Sequence, residues 1–254
     1  MNTEGITMSE LIQNKEKLSM DARVLSYQTD RNALLKPSYA LRFMQEAAAE
    51  HTDKFGYGTR VLYDDKKMFI LISVSINFEK MPFLNDNIFV ETWSCGQKGV
   101  LFTRPGRIAD KNRQTLCIYS SKWVLVNTET RHILKPNEVG DFNVVLCGEK
   151  YDLRDRKIPL PKEMKLAGER EIRYSDIDYN NHANNCAYAD FVLDFIPCDM
   201  AKKRVDKLDI YFHSEALMGD RLKIFCAEKD GIYYFKGEHE RGICFDAAVE
   251  VAEV

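Results

Sequence analysis

The same order of elements reads twice along this chain, and that repetition limits the fold more than any other feature. From residue 68 the run MFILISVSINFEKM alternates, with Ile70, Ile72, Val74, Ile76 and Phe78 on one side and Ser73, Ser75 and Asn77 on the other. This is the period of a half-buried strand. NIFVETWSC, VLFTRPGRIAD and QTLCIYSSKWVLVN follow across short polar or glycine-containing connections, as an antiparallel meander requires. Ahead of them SYALRFMQEAAAEHTDKFG predicts a helix, with Leu41, Met44 and Ala48 on one stripe, Ser38 capping its start after Pro37, and Gly56 ending it. In the second half NNCAYADFVLDFI predicts another helix, with Tyr188, Phe191, Val192 and Phe195 on one face and a stop before Pro197. KLDIYFHSEAL, DRLKIFCAEKD, GIYYFKGEHE and GICFDAAVEVAEV then predict strands, with a turn at Asp230 and Gly231. The expected class is α+β in two duplicated halves, 1–147 and 170–254. The charged segment 148–169, which contains Pro159 and Pro161, reads as an extended linker.

The openings of the two halves also rhyme. YQTDRNALLKPSYALRFMQEAAAEH and YSDIDYNNHANNCAYADFVLDF each place a Tyr and an Asp shortly before a helix. Only the second adds four asparagines and a histidine. In a divergent duplication one copy often keeps the chemistry while the other shapes the binding space.

Composition narrows the partners. The formal net charge of -3 gives no global attraction to nucleic acid or anionic membrane, and no apolar run reaches the roughly 20 residues of a membrane helix. The polar opening MNTEGITMSELIQNKEKLSM has no apolar signal core. Seven cysteines without C-x-x-C spacing suggest reduced thiols in a cytoplasm, with no metal and no cofactor implied.

The run Asp176-Ile-Asp178-Tyr-Asn180-Asn-His182-Ala-Asn184-Asn185, with Tyr188 next, resembles the signature of the acyl-acyl carrier protein thioesterases of bacteria and plants. The first-half DRNALL, MQEAA and His51, and the overall length, extend the likeness over nearly the whole chain. The resemblance implies two tandem hotdog domains, each a long helix wrapped by an antiparallel sheet, and release of free fatty acid from acyl carrier protein. It also implies a catalytic set of Asp178, Asn180, His182 and Glu215. Where plant members of the family carry a cysteine just after that glutamate, this chain has Ala216, which excludes a thiol nucleophile there and leaves the chemistry to Glu215 and water.

The residue types suit that reaction. Thioester hydrolysis needs an oriented water, a base and donors for the developing oxyanion. His182 or Glu215 can serve as base, Asn180 can hold water or donate to oxygen, and Asp178 can orient a neighbouring amide or imidazole. Backbone N–H groups at the start of the helix near Asn184 offer further donors. Asn184 and Tyr188 are candidate substrate-binding residues, with capping and helix packing as their structural alternatives. Met44, Ala47 and Ala48 are candidates for lining an acyl pocket in the first half, and Cys186 reads as a small buried thiol. AKKRVDK, residues 201–207, could meet an acidic carrier, although such runs are usually solvated faces. Acyl-coenzyme A hydrolysis on the same fold and a non-catalytic acyl-binding module remain alternatives. The acyl-loaded carrier is the expected partner, and a homodimer is compatible with the sequence.

Overall fold

A computed structural model describes residues 16–140, 144–153 and 157–254; the opening segment 1–15 lies outside them. The first half contains β1 (Lys17–Arg23), α1 (Pro37–Lys54), α2 (Thr59–Asp64), β2 (Lys67–Phe78), β3 (Asn87–Trp93), β4 (Gln97–Lys98), β5 (Leu101–Asp110), β6 (Thr115–Asn127) and α3 (Pro136–Val139). The second contains β7 (Lys165–Glu171), α4 (Ala187–Leu193), β8 (Lys203–Phe212), β9 (Arg221–Lys229), β10 (Ile232–His239) and β11 (Gly242–Glu253). All the strands join one 11-stranded sheet in the order β1-β3-β5-β6-β2-β8-β11-β10-β9-β7, with β4 paired to β5.

That order is the same sequence of pairings read outward twice from the centre. β1, β3, β5, β6 and β2 correspond to β7, β9, β10, β11 and β8, so the repetition in the sequence is a repetition of topology. The halves meet edge to edge at an antiparallel seam in which Ser75 faces Asp209 and Val74 faces Ile210. Across it the Ser75 hydroxyl bonds to the Asp209 carboxylate, which satisfies two polar side chains in the middle of the sheet.

α1 forms where the stripe and the alanines of 47–49 favour it. Leu41, Met44 and Ala47 are buried, while Glu50 and Lys54 form an i,i+4 pair at 3.0 Å on the outer face. Burying Leu41 and Met44 contributes about 1.5–3 kcal/mol each. Gly56 ends the helix with φ +82° and a bond from its N–H to Asp53 O of 2.8 Å. The expected Ser38 cap is corrected: Lys36 is the N-cap, Pro37 is the first helical residue, and no side chain caps the start. Pro37 lacks an N–H, so one of the donors a cap would serve is already absent.

Three further expectations change. The second helix is not long: α4 has 7 residues, Ala187–Leu193. The asparagines before it are held in turns, and Phe195 beyond it lies over Gly168, where an added Cβ would come within 2.5 Å of the ring. The alternation of β2 breaks at Ile72, where the register to β6 shifts between Leu71 and Ser73. Leu71 is therefore buried and Ile70 is exposed, as a bulge that flips the side-chain phase produces. Finally, β7 starts inside the segment read as a linker, and Ile158 of that segment is buried against Tyr234 and Ala248. β1 and β7 are the two edge strands, each with one ladder partner; β1 alternates, with Leu18, Met20 and Ala22 turned to the core, whereas no residue of β7 is buried.

One apolar core runs through both halves, from Leu18, Leu41 and Met44 to Tyr188, Phe191, Phe245 and Val249. α1 and α4 pack on the same side of the sheet and touch each other. The loop before α4 is thereby set against the first-half helix.

Candidate active site

The polar run folds as a tight loop whose backbone bonds to itself. Asp178 N–H donates to His182 O at 3.0 Å and Asn181 N–H to Asp178 O at 3.0 Å. Asn184 N–H donates to Asp176 O at 2.8 Å. Asn181 takes φ 63°, a left-handed conformation that asparagine tolerates. Asp178 braces the loop with both carboxylate oxygens: Oδ1 accepts from Asn180 N–H at 2.8 Å, and Oδ2 from Asn184 Nδ2 at 3.4 Å.

His182 is half-buried. Its Nδ1 faces two acceptors, Ala183 O at 3.3 Å and Asp178 Oδ1 at 4.0 Å. A proton is best placed on that nitrogen, leaving Nε2 as the acceptor. The Asn180 side-chain amide makes no hydrogen bond among the described residues and remains available to a ligand. Ala183 N–H donates to Ala216 O at 2.8 Å, which pairs the residue after His182 with the residue after Glu215. The Glu215 carboxylate itself is exposed, with its Oε2 4.0 Å from Arg131 of the first half. The structure thus gathers Asp178, Asn180, His182 and Asn184 in one hydrogen-bonded unit and holds Glu215 at its rim.

Asn184 acts as a brace. Its Oδ1 accepts from Cys186 N–H at 2.9 Å, and its own carbonyl accepts from Ala187 N–H at 2.9 Å. Two of the donors at the start of α4, the N–H groups of Cys186 and Ala187, are therefore taken inside the protein. Tyr188 is buried among Phe191, Phe212 and Phe245, each ring 5.2–5.3 Å away, and its hydroxyl meets Cys244 Sγ at 3.4 Å. It packs the core behind the loop.

An apolar cleft opens beside the loop, lined by Leu41, Met44 and Gln45 of α1, Leu71 and Val74 of β2, Tyr119, Ser121 and Trp123 of β6, and Asn185 and Cys186. Its free volume is ≈ 30 Å³, room for about two waters. A longer ligand requires its walls to yield, and the unbranched Met44 is suited to that. Of the candidate lining residues Met44 is at this wall, whereas Ala47 and Ala48 are buried in packing beyond it. The sequence reading missed Gln45, although it stands at i+4 from Leu41 on the same stripe. It also missed Tyr119, Ser121 and Trp123, whose period-two spacing on β6 puts them on one face.

Burial pushes the Cys186 thiol up to about 12, so the group is a protonated thiol and no nucleophile. Cys186→Ser should therefore retain turnover close to wild type. Loss of activity together with substrate protection against alkylation would return the thiol to the mechanism.

The first half carries the same loop without the same chemistry. Asn32 N–H donates to Asp30 Oδ1 at 2.8 Å, matching Asn180 and Asp178. Asp30 N–H donates to Leu34 O at 2.8 Å, and Leu35 N–H to Pro82 O at 2.8 Å, matching the bonds of His182 and Ala216. Ala33 repeats the positive φ of Asn181. The positions of His182 and Glu215 are thus held by Leu34 and Met81, both buried. A loop of this build can position a base only in the second half.

Comparison with known proteins gives the family. Residues 15–140 match the family model of the acyl-ACP thioesterase N-terminal domain and residues 161–251 that of its C-terminal domain; the chain belongs to the acyl-ACP thioesterase family. It is 28% identical over 213 residues to the oleoyl-acyl carrier protein thioesterase 2, chloroplastic, of Arabidopsis thaliana, covering 76% of this chain and 56% of that protein. It is 25% identical over 204 residues to the dodecanoyl-[acyl-carrier-protein] hydrolase, chloroplastic, of Cinnamomum camphora, covering 72% and 52%. The chain thus spans about half the length of the curated relatives it matches. Among solved structures, an acyl-ACP thioesterase from Bacteroides thetaiotaomicron superposes with TM-score 0.82 at 20% identity, covering 95% of this chain and 99% of that one. The 12:0-ACP thioesterase of Umbellularia californica superposes with TM-score 0.75 at 19% identity.

Proposed function

We propose that the chain hydrolyses the thioester of a fatty acyl group carried on acyl carrier protein and releases free fatty acid in fatty acid biosynthesis. The observation that supports this reading is that the loop of Asp178, Asn180 and His182 runs directly into Asn185 and Cys186, which line an apolar cleft. The relatives' names supply the substrate class. In this reading the protein is a cytoplasmic enzyme of two tandem hotdog domains, with the acyl tail bound by the first and catalysis by the second, joined near residues 148–169.

His182 Nε2 takes a proton from water as the oxygen attacks the thioester carbonyl, and the Asn180 amide donates to the oxyanion. Collapse breaks the carbon–sulfur bond, and the imidazolium returns its proton to the departing pantetheine thiolate. Asp178 holds the loop and the tautomer. Glu215, whose neighbour Ala216 bonds to Ala183 next to His182, supplies negative charge at the rim where the imidazolium forms.

The test is kcat/KM for one acyl group on acyl carrier protein and on coenzyme A. A preference for the carrier supports the reading, equal or reversed values make the enzyme an acyl-coenzyme A hydrolase, and binding without turnover makes it an acyl-binding module. The pocket assignment has its own check. Met44→Trp should shorten the preferred acyl chain and Met44→Ala lengthen it, with each methylene excluded from or admitted to an apolar pocket worth about 1–3 kcal/mol in kcat/KM. Ala48→Phe, away from the cleft wall, should instead cost about 1–3 kcal/mol of stability by overpacking and leave the chain-length profile flat. A profile that moves with Ala48 and ignores Met44 would reverse the assignment.

A further inference from the structure

Gln45 is the one polar side chain that the first-half helix contributes to the cleft, where it lines the wall beside Asn185 and Cys186. Its Oε1 accepts from Cys186 Sγ at 3.3 Å. Because burial keeps that thiol protonated, the sulfur is the donor and the amide has one orientation: the oxygen is turned to Cys186 and the NH₂ is turned away from it. The two N–H groups of Gln45 make no hydrogen bond among the described residues. Gln45 Nε2 is not among the polar atoms sealed from solvent without a partner, so a ligand's oxygen can replace water on it.

A run of polar contacts ties this amide to the catalytic loop. Gln45 bonds to Cys186; Cys186 N–H bonds to Asn184 Oδ1, and Asn184 Nδ2 to Asp178 Oδ2. Asp178 in turn holds Asn180 and faces His182. An acyl chain lying between Leu41, Met44 and the sheet must place its carbonyl where the apolar wall gives way to this run, and Gln45 stands at that boundary.

We propose that Gln45 donates an amide hydrogen bond to the thioester carbonyl, so that the half without the base still supplies part of the oxyanion site. The inference rests on the hydrolase reading above. No bond to Gln45 forms or breaks; its N–H groups meet the carbonyl oxygen in the ground state and hold it more strongly as negative charge gathers there.

The test compares wild type with Gln45→Leu, which keeps the bulk, and Gln45→Glu, which keeps the shape but replaces the donors with acceptors. Both should lower kcat by about 10²-fold, the effect of losing one oxyanion donor, with KM little changed. Wild-type kcat in either folded variant, or a shift confined to KM and chain-length preference, would make Gln45 only a pocket wall. A second measurement does not depend on turnover. Dodecanoyl-pantetheine labelled with ¹³C at the carbonyl, bound in a His182→Ala background, should show a carbonyl stretch lowered from its value in solution. Adding Gln45→Leu should return the stretch toward the solution value. If wild type hydrolyses neither carrier, the functional reading fails, while the carbonyl frequency still decides whether Gln45 binds the thioester. An unchanged frequency would overturn the proposal.

Discussion

His182→Ala is expected to lower kcat on an acyl carrier substrate by about 10²-fold or more while leaving the melting temperature near wild type, because proton transfer by a placed imidazole is worth that much. The fold should survive because the His182 backbone carbonyl, rather than its ring, takes the bond from Asp178 N–H. Asn180→Ala should behave alike, since its backbone N–H makes the bond to Asp178 and the side chain makes none within the described residues. Near-native turnover in either folded variant removes that residue from the mechanism. A collapse of both activity and melting temperature would mean that the loop, rather than the chemistry, had been lost.

The largest stability effect is expected behind that loop. Phe245 is fully buried, stands edge-on to Tyr188 at 5.2 Å, and fills the space above Gly237, where an added Cβ would come within 2.1 Å of its ring. Phe245→Ala should cost about 3–5 kcal/mol, which for a chain of this length is a fall of about 6–20 °C in melting temperature. Gly237→Ala should destabilise from the other direction, by forcing the ring out of its place. Activity should fall with the folded fraction in both variants, since the rings support α4 and the loop ahead of it. A Phe245→Ala protein that melts at the wild-type temperature would show that the second-half core is not the platform described.

The sequence foretold the parts of the fold that obey one period. The apolar stripe of α1, the strands of both meanders and the duplication are all visible in residue spacing. Features set by partners far along the chain were not. β7 looks like a loop because an edge strand needs no apolar face, and the alternation of Leu18, Met20 and Ala22 in β1 is short and follows directly on a polar opening. The flip at Ile72 depends on a bulge that no local pattern announces. The late start of α4 follows from the Asn184 side chain, which takes the Cys186 N–H ahead of the first turn. At the site, the spacing of Asp178, Asn180 and His182 was legible because one short loop holds all three. Gln45 was not, since its meaning comes from a thiol on the other half of the molecule.

The seam between β2 and β8 has a consequence for how such a chain can change. In a pair of identical subunits meeting across that line, every substitution would appear on both sides at once. A histidine in place of Leu34 would come with a histidine in both loops, and a widened cleft with two widened clefts. Covalent linkage of the copies removes that obligation. Each copy can then drift under a different demand, one toward reactivity and the other toward the shape of its guest, while the shared sheet keeps the two in register.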